Sequence, residues 1–128
     1  MEKSVKQILL VEDDNSIRKI LSQKLTGEGF KVMGSQAGDE GLSLALKNHP
    51  DLVILNLRLP KIEGLEVMRR LRRDRWGKAV PIVILTVLEV NEEILAEINT
   101  QQPSYYFVKS AWKIEDVIQK IKELLTAS

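Results

Sequence analysis

The sequence predicts an α/β fold, a (βα)5 chain doubly wound around a five-stranded parallel sheet, and three observations carry that expectation. The runs Ile8-Leu9-Leu10-Val11, Leu52-Val53-Ile54-Leu55 and Ile82-Val83-Ile84-Leu85 are apolar without alternation. Strands covered on both faces have this character. Stretches of helical spacing separate the runs. Strand and helix therefore alternate along the whole chain, the pattern of a parallel sheet with right-handed crossovers.

The elements follow in order. Strands are expected over residues 7–12, 31–35, 52–57, 80–86 and 105–109. Ile17, Ile20, Leu21 and Leu25 space the inward face of a first helix, which Gly27 and Gly29 can end. Leu42, Ala45 and Leu46 mark a second, shorter helix closed before Pro50, and Leu65, Met68 and Leu71 a third that ends near Gly77. A weaker fourth covers residues 92–100 with Ile94, Leu95 and Ile98. Ile114, Val117, Ile118, Ile121, Leu124 and Leu125 form the clearest stripe, a terminal amphipathic helix. No linker, repeat or low-complexity tract interrupts the pattern, so a single domain over residues 1–128 is expected.

Bulk properties narrow the class. A chain of 128 residues buries one good core without staples. With no cysteine it has neither a disulfide framework nor a thiolate metal site. Its apolar runs fall far short of the ~20 residues that span a bilayer, and the N-terminus lacks a secretory core. A cytoplasmic protein with no membrane partner is expected. The 19 basic and 18 acidic residues nearly cancel, which argues against a nucleic-acid binder. The local cluster Arg69-Arg70-Leu71-Arg72-Arg73-Asp74-Arg75 reads as the solvated face of a helix and its C-terminal turn.

In open parallel sheets the functional crevice lies outside the carboxyl ends of the strands. Glu12, Asp13 and Asp14 end the first strand, Asn56 the third, Thr86 the fourth and Lys109 the fifth. Asp14 suits the N-cap of the first helix. Glu12 and Asp13 are either solvated turn acids or a pair that needs a cation between them, and Mg2+ suits such a place. Thr86 can simply satisfy backbone groups at a strand end. Lys109 can hold an anion or pair with Asp13.

These motifs resemble the receiver domain of two-component response regulators over essentially the whole chain. The resemblance rests on Ile8-Leu9-Leu10-Val11-Glu12-Asp13-Asp14, on residues 51–64 around Asn56, on Pro81-Ile82-Val83-Ile84-Leu85-Thr86 and on Tyr106-Phe107-Val108-Lys109. It implies the flavodoxin-like receiver fold with strand order 2-1-3-4-5. It implies that Glu12, Asp13, Asn56 and the Arg58 carbonyl surround a Mg2+ ion, that Thr86 is the switch hydroxyl, that Tyr106 is the aromatic that rotates inward, and that Lys109 contacts phosphate. It further implies a non-enzymatic switch in a phosphorelay. The partner would be a histidine kinase or other signalling protein on the face of the fourth helix, fifth strand and fifth helix, a face that also allows a homodimer.

Asn56 falls where the family carries its phosphoacceptor aspartate. A carboxylate there attacks phosphorus while the metal neutralises charge. An amide is a very poor nucleophile, so phosphotransfer at residue 56 is blocked, and metal affinity should fall with the lost charge. Three further departures accompany it. Ser110 replaces the usual proline after Lys109, and a cis bond there would cost about 2.5–4 kcal/mol, so either a trans bond with Lys109 displaced or a strained cis bond is expected. Val87 is bulkier than the usual small residue. Gln101-Gln102-Pro103-Ser104 offers no easy helix C-cap. Trp112 reads as core. Asn56 is thus a laboratory substitution or a natural divergence, and the accompanying departures favour divergence. Two alternatives share the fold: a phosphorylation-independent pseudo-receiver and, more weakly, a flavodoxin-like cofactor binder. The second lacks a Gly/Ser/Thr-rich phosphate cradle.

Overall fold

A computed structural model describes residues 5–86, 91–108 and 113–126. Five parallel strands, β1 (Gln7–Val11), β2 (Lys31–Ser35), β3 (Leu52–Asn56), β4 (Ile82–Thr86) and β5 (Tyr105–Val108), lie in the order β2-β1-β3-β4-β5. The helices are α1 (Asn15–Gly27), α2 (Gly38–Asn48), α3 (Gly64–Arg73), α4 (Glu92–Thr100) and α5 (Ile114–Thr126). The expected fold class and strand order are both observed.

Side chains alternate across each strand, which divides the unbroken apolar runs between two cores. Leu9, Val11, Val53, Leu55, Ile82 and Ile84 face one layer, packed by Leu42 and Ala45 of α2, Val67, Met68 and Leu71 of α3, and Ile98 of α4. Ile8, Leu10, Leu52, Ile54, Val83 and Leu85 face the other, packed by Leu21 and Leu25 of α1 and by Val117, Ile118 and Ile121 of α5. Each such fully buried Leu or Ile stabilises the fold by about 1.5–3 kcal/mol; α1, α2, α3 and α5 each bury two or more apolar side chains against the sheet, and α4 buries Ile98.

Local signals set the helix ends. Asp14 is the N-cap of α1, its Oδ1 accepting the Ile17 amide at 3.0 Å. Gly29, at φ +97°, turns the chain out of α1 in a conformation L side chains rarely adopt.

Four expectations are corrected. Ile20 and Leu46 are exposed rather than inward, because they lie at the edges of their helical stripes. α3 stops at Arg73 instead of running toward Gly77, because Asp74 Oδ2 accepts the amides of Trp76 and Gly77, both at 2.9 Å, and folds the next residues into a turn. The first, third and fourth strands are shorter than expected, covering 7–11, 52–56 and 82–86. The arginine cluster is not merely a solvated face. Arg69 and Arg70 pair with Glu66, Arg69 also pairs with Glu97, and Arg72 turns inward among backbone carbonyls. Arg70 first, and then Arg69, hold the Glu66 carboxyl below its ordinary pKa.

Candidate functional site

The parallel register places the ends of β1, β3 and β4 on one rim. Val11 pairs with Leu55 and Asn56 with Leu85, so Glu12 and Asn56 leave neighbouring strands side by side, with Thr86 one position beyond on β4. Glu12, Asn56 and Thr86 are 4%, 6% and 2% exposed. Asp13 and Asp14 are exposed.

Asn56 joins the acids. Its Nδ2 donates to Glu12 Oε2 at 3.0 Å and to Asp13 Oδ1 at 3.3 Å, while its Oδ1 accepts the Arg58 amide at 3.3 Å. Two carboxylate acceptors on one side and a donor on the other fix which end of the amide faces the acids. Glu12 Oε2 also accepts the Asp14 amide at 3.0 Å. Burial raises the Glu12 pKa, and the nearby Asp13 adds to this, whereas the bonds from Asp14 and Asn56 work against it.

A divalent cation held here needs oxygen atoms turned toward it. The amide instead points its two hydrogens at both carboxylates, and Oδ1 is engaged with Arg58. In this arrangement the donor set does not fit a divalent cation. No group of three His, Cys, Asp or Glu side chains that could hold a metal occurs among the described residues.

Arg18 is a site neighbour that the sequence reading missed. Its Nη1 donates to the Glu12 carbonyl at 2.7 Å, and its Nη2 bonds Asn15. Its stem packs beneath Gly34, where a Cβ would touch Arg18 Cδ at 3.4 Å. The available signal was position alone: one turn into α1, a long cation can reach back to the strand end. Gly64 ends the matched motif around Asn56, but the sequence reading gave it no role. Its amide donates to the Leu57 carbonyl at 2.8 Å, and any Cβ would fall on the Asn56 carbonyl oxygen. The absence of a side chain there lets α3 start directly under the site.

Tyr106 is half-buried against the core layer of α2, α3 and α4. Its hydroxyl is enclosed with no hydrogen-bond partner among the described residues, and burial raises its pKa. Lys109, Ser110, Val87 and Trp112 lie outside the described residues, and with them the expectations about the phosphate-contacting lysine, the Lys109–Ser110 peptide, the crowding after Thr86 and the packing of the tryptophan. Away from the acid rim, an open groove of about 530 Å³ runs between β5 and α5, lined by Tyr105, Phe107, Asp116 and Lys120 among others. Lys120 Nζ lies 4.5 Å from the Tyr105 ring centroid there.

The model of the response regulator receiver domain matches residues 8–122. The chain belongs to this family. It is 33% identical over 119 residues to the response regulator MprA of Mycobacterium sp. (strain KMS), covering 93% of this chain and 50% of that protein. A CheY-like receiver domain protein from Methanospirillum hungatei superposes with a TM-score of 0.87 at 27% identity, covering 95% and 94% of the two chains. The response regulator Rcp1, solved in a Mn2+-bound form, matches with a TM-score of 0.79 at 25% identity over 96% and 97%. This receiver spans about half the length of the curated relatives it matches. Receiver domains are signalling switches of two-component systems and generally bind Mg2+ at the acidic pocket. No helix among the described residues is long and apolar enough to cross a membrane.

Proposed function

We propose that this receiver is a protein-interaction domain of a phosphorelay in which residue 56 takes no phosphoryl group. The observation that carries the reading is the bond from Asn56 Nδ2 to Glu12 Oε2 at 3.0 Å, with its companion to Asp13. The neutral amide stands where a nucleophilic carboxylate would stand and points hydrogens, not lone pairs, into the pocket. It also joins the two acids that would otherwise repel, a task that a divalent cation performs when a carboxylate occupies the position.

That arrangement favours the pseudo-receiver form of the proposal over a receiver merely waiting for a phosphodonor. The pocket is satisfied as it stands, and Mg2+ binding is weak. Thr86, Tyr106 and Lys109 then keep their positions in the pattern without a phosphoryl group to report. The partner is a histidine kinase or another signalling protein, met through α4, β5 and α5. The exposed Ile94, Leu95 and Tyr105 and the groove between β5 and α5 support that face, and it also suits a homodimer. Nucleic acid and membrane are not partners of this domain, whose unit is residues 1–128.

Intact-mass spectrometry after treatment with a small-molecule phosphodonor and Mg2+ tests the proposal. The chain should gain no phosphoryl mass, whereas Asn56→Asp should gain one acid-stable, hydroxylamine-labile group. A stoichiometric phosphoryl adduct on Asn56 in the unaltered chain would overturn it.

A further inference from the structure

α4 is attached to the domain in an unusual way. Ile98 is its one buried residue, while Ile94 and Leu95 are each 38% exposed. A helix of 9 residues is too short to be stable on its own propensity. Its N-terminus is capped by Asn91, whose Oδ1 accepts the Ile94 amide at 2.8 Å. Its C-terminus has no glycine: the chain leaves through Gln101 and then Gln102, which takes φ +52°.

The Gln101 and Gln102 amides close the helix on the Ile98 and Asn99 carbonyls, each at 3.0 Å, and the carbonyls of Gln101 and Gln102 themselves are held by another helix. Arg72 of α3 donates Nε to the Gln101 carbonyl at 2.8 Å and Nη2 to the Gln102 carbonyl at 3.0 Å. The same guanidinium donates Nη1 to the carbonyls of Gly77 at 2.7 Å and Val80 at 2.8 Å. One planar fork therefore ties the end of α4 to the α3–β4 connection, where Nη1 also lies 3.4 Å from the Lys78 carbonyl, and its hydrogen bonds among the described residues go to backbone carbonyls. One turn earlier on α3, Arg69 pairs with Glu97 of α4 and with Glu66 of its own helix. The polar contacts thus lie at two heights along α4, on either side of Ile98 in sequence.

We propose that Arg72 is the positioning residue of α4, with Arg69–Glu97 as its second point of attachment, so that α4 docks and undocks as a unit on polar contacts while the sheet stays folded. Given the partner face read above, this sets whether its α4 side is formed. Docking itself is a property of the isolated chain and does not depend on that reading or on residue 56. The geometry also explains why an arginine stands there. Five carbonyl acceptors on two segments need the directional N–H groups of a planar fork, which an ammonium at one point does not supply.

Amide hydrogen exchange of the full chain, read on peptides from α4 and from β1 and β3, tests the proposal. In Arg72→Met, exchange across residues 92–102 should rise on the order of tenfold, while the β1 and β3 amides change much less. Arg72→Lys should resemble Arg72→Met rather than the parent. Arg69→Glu should speed α4 exchange in the same selective way, and adding Glu97→Arg should restore protection. Unchanged α4 protection in Arg72→Met, or an equal rise in α4 and the central strands, overturns the proposal. If Arg72→Met does not fold, the Arg69→Glu and Glu97→Arg swap decides it: selective loss and recovery supports the attachment, and no recovery removes it.

Discussion

Asn56 Nδ2 and Glu12 Oε2 lie 3.0 Å apart, although 44 positions separate the two residues in sequence. The contact exists because β1 and β3 are neighbours whose ends stop level, Val11 against Leu55. It gives the buried carboxylate a donor, and through the same nitrogen it reaches Asp13. The acid pair is thereby held by a side chain of the fold, and the consequences can be measured at each residue involved.

Glu12 gives the acid rim a pH dependence of its own. Its raised pKa means that the folded chain binds a proton on Glu12 more tightly than the unfolded chain does. Between the ordinary carboxyl value and the raised one, the folded state holds more protons. Stability from this group is therefore fully present below the ordinary value and is lost as pH rises through the folded value. Glu12→Gln should remove that loss while its oxygen still accepts from Asp14 and Asn56. Thermal unfolding should find the variant more stable than the parent at pH 7, with the difference shrinking as pH falls toward the carboxyl range. A difference that stays constant over that range contradicts this account.

Gly64 fixes the floor of the site. In Gly64→Ala the new methyl group would meet the Asn56 carbonyl, so either α3 or the end of β3 must shift. Overpacking of this kind costs about 1–3 kcal/mol. Urea unfolding should show a loss in that range with an unchanged m-value. Amide shifts in an NMR spectrum should concentrate around Asn56, Leu57 and Arg58.

The Tyr106 hydroxyl is enclosed without a hydrogen-bond partner among the described residues. An unpaired buried polar group carries a desolvation cost, so Tyr106→Phe should be neutral or more stable by about 1 kcal/mol. A clear loss of stability in chemical denaturation would mean that the hydroxyl is bonded in solution.

Much of the fold was legible because continuous apolar runs can be satisfied only by strands covered on both faces. The family motifs then located the rim. Legibility failed wherever a local polar group outweighed periodicity. Asp74 captured two amides and ended α3 early, and Ile20 and Leu46 fitted the helical spacing yet sat at the stripe's edge. At the site, Glu12, Asp13 and Asn56 were identifiable as residue types, but their mutual bonding depends on strand order, which no single segment encodes. The roles of Arg18 and Arg72 were hidden for a related reason: Arg18 spends one donor, and Arg72 its described ones, on backbone carbonyls, and a backbone carbonyl leaves no mark in an amino-acid sequence. The segment after α4 was expected to offer no easy C-cap, yet Gln102 takes φ +52° without being glycine, the Gln101 and Gln102 amides close the helix, and Arg72 of α3 holds the carbonyls that follow.

The central claim is that the Asn56 amide does the joining that a cation does beside a carboxylate. The most direct test is the thermal stability of the chain and of Asn56→Asp as Mg2+ is added at constant ionic strength. The account predicts no Mg2+-dependent shift for the chain itself. For Asn56→Asp it predicts a lower starting stability at neutral pH and a recovery that grows with Mg2+, reaching about 2.7 kcal/mol when the ion is at a hundred times its Kd. Equal Mg2+ stabilisation of both proteins would contradict it.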